Sequence, residues 1–204
     1  MKITIISGSH RNPSQSEKIA HYINKTLKAE HSDIETFVYT LADNPLPLWD
    51  QSLWENNEEW NQRLAPLKKE LSESDGFVVI SPEWHGQVPA GLKNFFLMFN
   101  RFELGHKPAL IVGVSSGDGG AYPVAELRMS SYKNNRICYI PEHLILRHVE
   151  SILNDNAADN NADADSYFRE RISWALGILK GYAVALKNMR ENTTIFHDKF
   201  GNGM

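Results

Sequence analysis

Three short stretches of the sequence carry residue types that can hold a ligand. The first is Gly8-Ser9-His10-Arg11-Asn12-Pro13-Ser14-Gln15-Ser16. It follows the β-branched run Lys2-Ile3-Thr4-Ile5-Ile6-Ser7 and precedes Ile19, Ala20, Ile23 and Leu27 at helical spacing, so it joins a strand to a helix N-terminus. Free N–H groups and the helix dipole favour an anion there. Ser9, Ser14 and Ser16 add hydroxyl donors, and Arg11 adds a guanidinium suited to phosphate oxygens. Ser14 or Ser16 alone reads equally well as an N-cap, and Arg11 alone as a solvated charge. The grouping of all four directly after the first strand favours a phosphate site. It is neither a Walker loop, since Gly-Lys-Ser/Thr is absent, nor a G-x-G-x-x-G fingerprint.

The second stretch is Ser81-Pro82-Glu83-Trp84-His85-Gly86-Gln87-Val88-Pro89, which places a large aromatic and a histidine after the apolar run Gly76-Phe77-Val78-Val79-Ile80. A flat apolar ligand needs such a wall with polar edge contacts; the plainer reading is that Trp84 covers the core and His85 is a surface residue. The third is Ser115-Ser116-Gly117-Asp118-Gly119-Gly120, whose glycines let a ligand approach the backbone, or simply make a flexible connection. Gly113-Val114-Ser115-Ser116-Gly117 also satisfies G-x-S-x-G, the nucleophile elbow of a hydrolase, with Asp155 and His197 as later partners for Ser115. Against that reading, an elbow turns straight into a helix, and Gly119, Gly120 and Pro123 are expected to delay the helix to about residue 124. Eight histidines are scattered without an H-x-x-x-H or H-E-x-x-H pattern, so no metal site is expected.

The elements that position these stretches alternate. Strands are expected at residues 2–8, 34–39, 76–80, 108–114 and, more weakly, 136–140. Helices are expected near residues 19–27, 54–71, 89–100, 124–133 and 167–190. Residues 154–165, rich in Asn, Asp and Ala, read as a solvated loop, and the tail after Glu191 as frayed. The third and fourth strands are apolar on both faces, which means a parallel sheet covered on both sides. The fold class is α/β: a flavodoxin-like, doubly wound five-stranded sheet of order 2-1-3-4-5, with ligands at the carboxyl ends of the strands. A domain over residues 1–190 and a tail over 191–204 account for the 204 residues.

Composition narrows the function classes. Lys plus Arg is 21 and Asp plus Glu is 25, a net charge of −4, so the basic surplus of a nucleic-acid binder is missing. The single cysteine, Cys138, precludes an intramolecular disulfide and reads as a small core residue in a reducing, cytoplasmic setting. No apolar run approaches the length of a membrane span, and a typical signal peptide is not expected. Trp49, Trp54 and Trp60 cluster in and after a proline-containing loop, as core or as a patch for a partner subunit.

The pattern Gly8-Ser9-x-Arg11-x-x-Ser14, followed by Ser81-Pro82-Glu83-Trp84-x-Gly86-x-x-Pro89-x-x-Leu92-Lys93-Asn94, resembles the NAD(P)H-dependent FMN reductases, a family that includes quinone, chromate and azo-dye reductases. Leu46-Pro47-Leu48-Trp49-Asp50 is similar to that family's loop after strand two, and the resemblance spans about residues 2–185. It implies bound FMN: Ser9, Arg11, Ser14 and Ser16 on the phosphate, Pro82, Glu83, Trp84, His85 and Gly86 along the ring, and Ser115, Ser116, Gly117 and Gly120 along its other edge and the ribityl chain. Trp84 stands where the family usually has tyrosine, His85 where it usually has asparagine, and Ser16 where asparagine is common. The resemblance further implies hydride transfer from NAD(P)H through FMN to a small-molecule acceptor such as a quinone, an azo compound or free flavin. No side-chain acid or base is required, donors from the turn 83–86 would face the ring, and a homodimer or homotetramer is expected. An electron-carrier flavodoxin is the alternative within the fold, although carriers are usually more acidic than −4; a binding module without FMN is another.

Overall fold

The computed structural model describes residues 1–130, 132–195 and 197–203. Its strands are β1 (Lys2–Ser7), β2 (Glu35–Thr40), β3 (Gly76–Pro82), β4 (Pro108–Val114) and β5 (Cys138–Leu146). Its α-helices are α1 (Gln15–Glu30), α2 (Glu58–Glu73), α3 (Ala90–Met98), the short α4 (Arg101–Leu104), α5 (Ala121–Met129) and α6 (Ala162–Asn192). The strands form one parallel sheet in the order β2-β1-β3-β4-β5, the doubly wound order expected.

Alternation along each strand divides the core in two. Ile3, Ile5, Val78, Ile80, Leu110 and Val112 face one layer, where α1 supplies Ile19, Ile23 and Leu27 and α6 supplies Ile172, Leu176 and Leu179. Ile6, Phe77, Val79, Ala109 and Ile111 face the other, where α2 supplies Leu64 and Leu71, α3 supplies Leu92 and Phe95, and α5 supplies Leu127. Every residue of β1, β3 and β4 is buried, the mark of central strands covered on both faces. This core fixes the carboxyl ends of β1, β3 and β4 side by side, and so the three ligand-holding stretches. Gly8 tightens the arrangement: its N–H donates to Ile80 O at 2.8 Å, and a Cβ there would lie 2.6 Å from that oxygen and 2.7 Å from Leu92 Cδ2. Only glycine lets the loop after β1 close on β3.

Several boundaries differ from expectation. β5 begins at Cys138 and continues through Pro141 to Leu146, well past residue 140. It is an edge strand, and its register with β4 shifts between Ala109 and Ile111, where Pro141 and Glu142 are absorbed; a residue without an N–H is tolerated at such a bulge. α5 starts at Ala121, directly after Gly120, with Pro123 inside its first turn, so the delay to residue 124 does not occur. Residues 154–165 are not simply a solvated loop. Asn154 donates to Glu150 O and Asp159 O, a 3₁₀ turn covers Ala157–Asp159, and Asn161 caps α6 four residues before Asp165. The tail also packs: the His197 ring lies edge-on to Phe102 at 5.2 Å, and Gly203 N–H donates to Asn134 Oδ1 at 2.9 Å. The tryptophan cluster divides, since Trp60 is core and donates to Ser52 Oγ while Trp54 is exposed with Trp49 edge-on against it. Cys138 is half-buried, and burial pushes its thiol pKa up.

Candidate functional site

A cavity of about 270 Å³ opens at the carboxyl ends of β1, β3 and β4. After β1 it is lined by Ser9, Arg11, Ser14, Gln15 and Ser16; after β3 by Pro82, Glu83 and Trp84; after β4 by Val114, Ser115, Ser116 and Gly117; and beyond β5 by Val149. Ten of the thirteen residues singled out from sequence are thus brought together. His85 lies outside this cavity, in a second depression on the α3 side with Trp84, Gln87, Val88, Pro89, Ala90 and Lys93. Gly86 and Gly120 line neither and act through the backbone.

Each stretch is held by a stated device. Ser14 caps α1, its Oγ accepting from Glu17 N–H at 3.1 Å, so the N–H groups of Gln15 and Ser16, two residues that line the cavity, are left at the positive end of the helix. Ser9 is buried and its Oγ accepts from Arg11 N–H at 3.2 Å. The exposed Arg11 guanidinium makes no ion pair among the described residues. The Trp84-His85-Gly86-Gln87 segment is a tight turn: Trp84 and Gln87 exchange backbone hydrogen bonds at 3.2 and 3.1 Å, with His85 at φ 52° and Gly86 at φ 72°. Two consecutive left-handed residues make a turn of the primed type, and glycine is strongly preferred at the second. Glu83 N–H donates to Val114 O and Trp84 N–H to Gln87 O, so the turn's backbone donors left for a ligand are those of His85 and Gly86.

Glu83 lines the cavity, and its carboxylate has a partner of its own. It accepts from Gly120 N–H at 2.5 Å, and a Cβ on Gly119 would fall 2.9 Å from it. Gly120, at φ 102°, is the residue before α5 and has no side chain to cap it; Glu83 supplies that cap from the segment after β3. α3 is treated alike. Pro89 provides no side-chain cap, and His10 Nε2 accepts from Gly91 N–H at 2.7 Å.

Other contributors were missed from sequence. Gln15, the first residue of α1, presents a neutral amide and carries no charge or pattern to mark it. After β5, Arg147 Nε donates to Gly119 O at 3.0 Å, His148 Nε2 lies 2.8 Å from Asp118 Oδ1, and Ser116 Oγ bonds Glu150 at 3.2 Å. These contacts tie the β4–α5 loop to the segment after β5; the position of Arg147 and His148 at a strand's carboxyl end was the available signal. Lys18 on α1 clamps the same segment, donating to Val149 O, Ile152 O and Asn154 Oδ1 at 2.6, 2.9 and 2.9 Å.

The hydrolase reading does not survive. His197 packs near Phe102 and His106, before β4, whereas Ser115 follows it. A seven-residue strand separates them by roughly 20 Å. Asp155 lies on the α1 side with Lys18, His21 and Lys25. Among the described residues no group of three or more His, Cys, Asp or Glu is placed to hold a metal, and no helix is long and apolar enough to cross a membrane.

Does the cavity suit a phosphate-bearing, flat cofactor? Ser16 Oγ and Gln15 Oε1 are buried, line it and have no hydrogen-bond partner. Unpaired buried polar atoms are costly, and a phosphorylated, hydroxylated ligand would satisfy them. Free N–H groups, Arg11 and hydroxyls at one end and an indole at the other match an anionic head on a planar body.

The family model described as NADPH-dependent FMN reductase matches residues 1–151. The chain is 30% identical over 130 residues to an FMN-dependent NADPH-azoreductase of Staphylococcus saprophyticus, covering 63% of this chain and 68% of that one. It is 28% identical over 149 residues to an NADPH azoreductase of a Bacillus species, covering 72% and 76%. Among solved structures, an oxidoreductase from Corynebacterium diphtheriae superposes with a TM-score of 0.66 at 18% identity, over 90% of this chain and 97% of that one. A flavoenzyme NAD(P)H:acceptor oxidoreductase from Paracoccus denitrificans gives 0.66 at 21%, over 92% and 97%. At these identities the structures establish the shared fold, and the family match establishes the rest: the chain belongs to the NADPH-dependent FMN reductase family, as an oxidoreductase with FMN as cofactor and NAD(P)H as co-substrate.

Proposed function

We propose that the cavity holds FMN and that the enzyme passes reducing equivalents from NAD(P)H to a quinone or azo compound. The observation that carries this reading is the convergence, at one end of the sheet, of the Arg11 guanidinium, the unpartnered Ser16 Oγ and the Trp84 indole. FMN, when bound, supplies the hydride acceptance and onward transfer that no side chain here could perform.

The chain's own residues bind and orient. Arg11, Ser9, Ser14 and the N–H groups of Gln15 and Ser16 hold the phosphate by charge-assisted and dipole-directed hydrogen bonds. Pro82 and Trp84 form the wall for the ring, and Ser115, Ser116 and Gly117 border it. The N–H groups of His85 and Gly86, left free by the turn, would be the donors available to the ring's polar edge, where donors favour added negative charge. Gly120 contributes through Glu83, which holds the β4–α5 loop against the site. His85 sits exposed beside Trp84, in the depression on the α3 side.

We further propose that the enzyme self-associates as a dimer or tetramer. An apolar groove of about 290 Å³ runs between α3 and α5, lined by Val88, Phe96, Leu97 and Leu127, with Leu97 61% and Met129 76% exposed. A second copy of this chain would cover it, and a monomer by light scattering would exclude that. A reducing, cytoplasmic setting fits the single cysteine and the NAD(P)H requirement.

The test is spectroscopic and then kinetic. Protein reconstituted with FMN should be yellow, and NADPH or NADH should bleach the band without oxygen. Turnover with a quinone or an azo dye should follow. A yellow protein indifferent to both nicotinamides would indicate an electron carrier, and one that cannot be loaded would overturn the proposal.

A further inference from the structure

We propose that His10 is a positioning residue: its neutral imidazole caps α3 from the phosphate loop and thereby fixes Trp84 relative to Arg11. The inference rests on the cofactor reading above.

His10 lies between Ser9 and Arg11, yet its side chain works elsewhere. Nε2 accepts from Gly91 N–H at 2.7 Å, 81 residues along the chain. Gly91 is the second residue of α3, and its N–H is among those a helix leaves without an intrahelical partner. Pro89 cannot cap it, having no side-chain acceptor. The imidazole also stands edge-on to Trp84, with ring centroids 5.3 Å apart. Its backbone carbonyl accepts from Asp43 N–H at 3.1 Å, which brings in the loop after β2. One side chain therefore touches the helix and the turn that together carry the proposed ring wall, while its backbone belongs to the loop proposed to hold the phosphate.

The fit at Gly91 is close. A Cβ there would lie 2.3 Å from His10 Nε2, so a larger residue and the imidazole cannot both keep their places. An acceptor at Nε2 means that the proton of the neutral ring sits on Nδ1. A second proton would remove the acceptor and set a cation at the positive end of a helix. Burial also favours the neutral ring. The ionisable groups on the elements packed against it are Arg11, Asp43, Glu83, His85 and Lys93. Asp43 accepts from Asn12 Nδ2 at 2.7 Å, Glu83 accepts from Gly120, and Lys93 is paired with Glu126 at 2.5 Å. Arg11 and His85 are both exposed to solvent.

Two readouts on the apo protein and the FMN-loaded protein test this. In the apo protein, the Gly91 amide NMR shift should follow the His10 titration, with the ring carrying its proton on Nδ1 above the midpoint. By fluorescence quenching, wild-type FMN affinity should weaken three- to tenfold as pH drops from 7.5 to 5.5, beyond the change seen in His10→Asn. Asparagine keeps an acceptor and does not titrate, so the difference between the two proteins removes the phosphate's own protonation. His10→Ala should weaken FMN binding about tenfold at pH 7.5, with His10→Asn recovering most of it. A Gly91 amide indifferent to the His10 titration overturns the cap. Parallel pH profiles for wild type and His10→Asn overturn the link to the cofactor. Wild-type protein that binds no FMN at any pH fails the cofactor reading itself, and is distinguishable because the apo NMR result stands apart from it.

Discussion

Replacing Glu83 separates a residue that touches the ligand from one that builds the loop beside it. Its carboxylate takes the Gly120 N–H at 2.5 Å and is the cap that α5 otherwise lacks. A hydrogen bond to a charged group contributes roughly 1.5–3 kcal/mol, and a negative charge at a helix N-terminus about 0.3–1 kcal/mol. Glu83 is half-buried, so water can partly replace it and the lower half of that range applies. Glu83→Ala should therefore destabilise the protein by about 2 kcal/mol. Glu83→Gln, which keeps a neutral acceptor, should cost about 1 kcal/mol. For a chain of this size each kcal/mol moves the melting temperature by roughly 2–4 °C, so shifts of about 4–8 °C and 2–4 °C are expected. Gly119→Ala, which pushes on the same carboxylate, should reproduce part of the loss. The assay is urea unfolding of the apo protein at pH 7, so that ligand binding does not enter. FMN affinity, measured separately, should fall in the same order. An alanine variant within 0.5 kcal/mol of wild type would refute the capping role, and direct contact with the cofactor would have to explain any loss of affinity.

Asn94 on α3 accepts from Trp49 N–H at 2.8 Å and donates to Pro47 O at 2.7 Å. Asn94→Ala should cost roughly 1–3 kcal/mol and change the fluorescence of the Trp49–Trp54 pair; unchanged urea unfolding would show the loop after β2 to be held by other contacts. Burial lowers the pKa of His10, His106 and His197 below the usual 6.5. Between that value and the depressed midpoints the unfolded chain binds more protons than the folded one, so stability should fall as pH drops below about 6.5. Urea midpoints at pH 7.5 and 5.5 check this, and a higher midpoint at pH 5.5 would contradict it.

Where the sequence was informative, one element's own residues decided the outcome. β4 runs from Pro108 to Val114 as expected, because an unbroken apolar run ending in glycine-rich loop residues has few other solutions. β5 did not, because Pro141 looks like a strand breaker until an edge position and a bulge are known to accommodate it. The loop proposed to hold the phosphate was legible because its donors are contiguous. The caps supplied by His10 and Glu83 were not: each joins residues distant in sequence, Gly91 and Gly120, through a backbone N–H that carries no mark in the residue string. The residue string shows neither role: Glu83 reads as one more polar residue in a loop, and His10 stands between two residues with more obvious chemistry.

The cavity's assignment stands or falls on whether it recognises the phosphate through Arg11. Affinities for FMN and for riboflavin, which lacks the phosphate, should be compared in wild type and Arg11→Ala by fluorescence quenching. A charge-assisted contact of roughly 1.5–3 kcal/mol corresponds to a wild-type preference for FMN of about tenfold or more. Arg11→Ala should reduce that preference about tenfold or more while binding riboflavin as wild type does; the remainder is carried by Ser9, Ser14 and the N–H groups of Gln15 and Ser16. Equal affinity of wild type for the two flavins, or a preference undiminished in Arg11→Ala, would contradict the assignment.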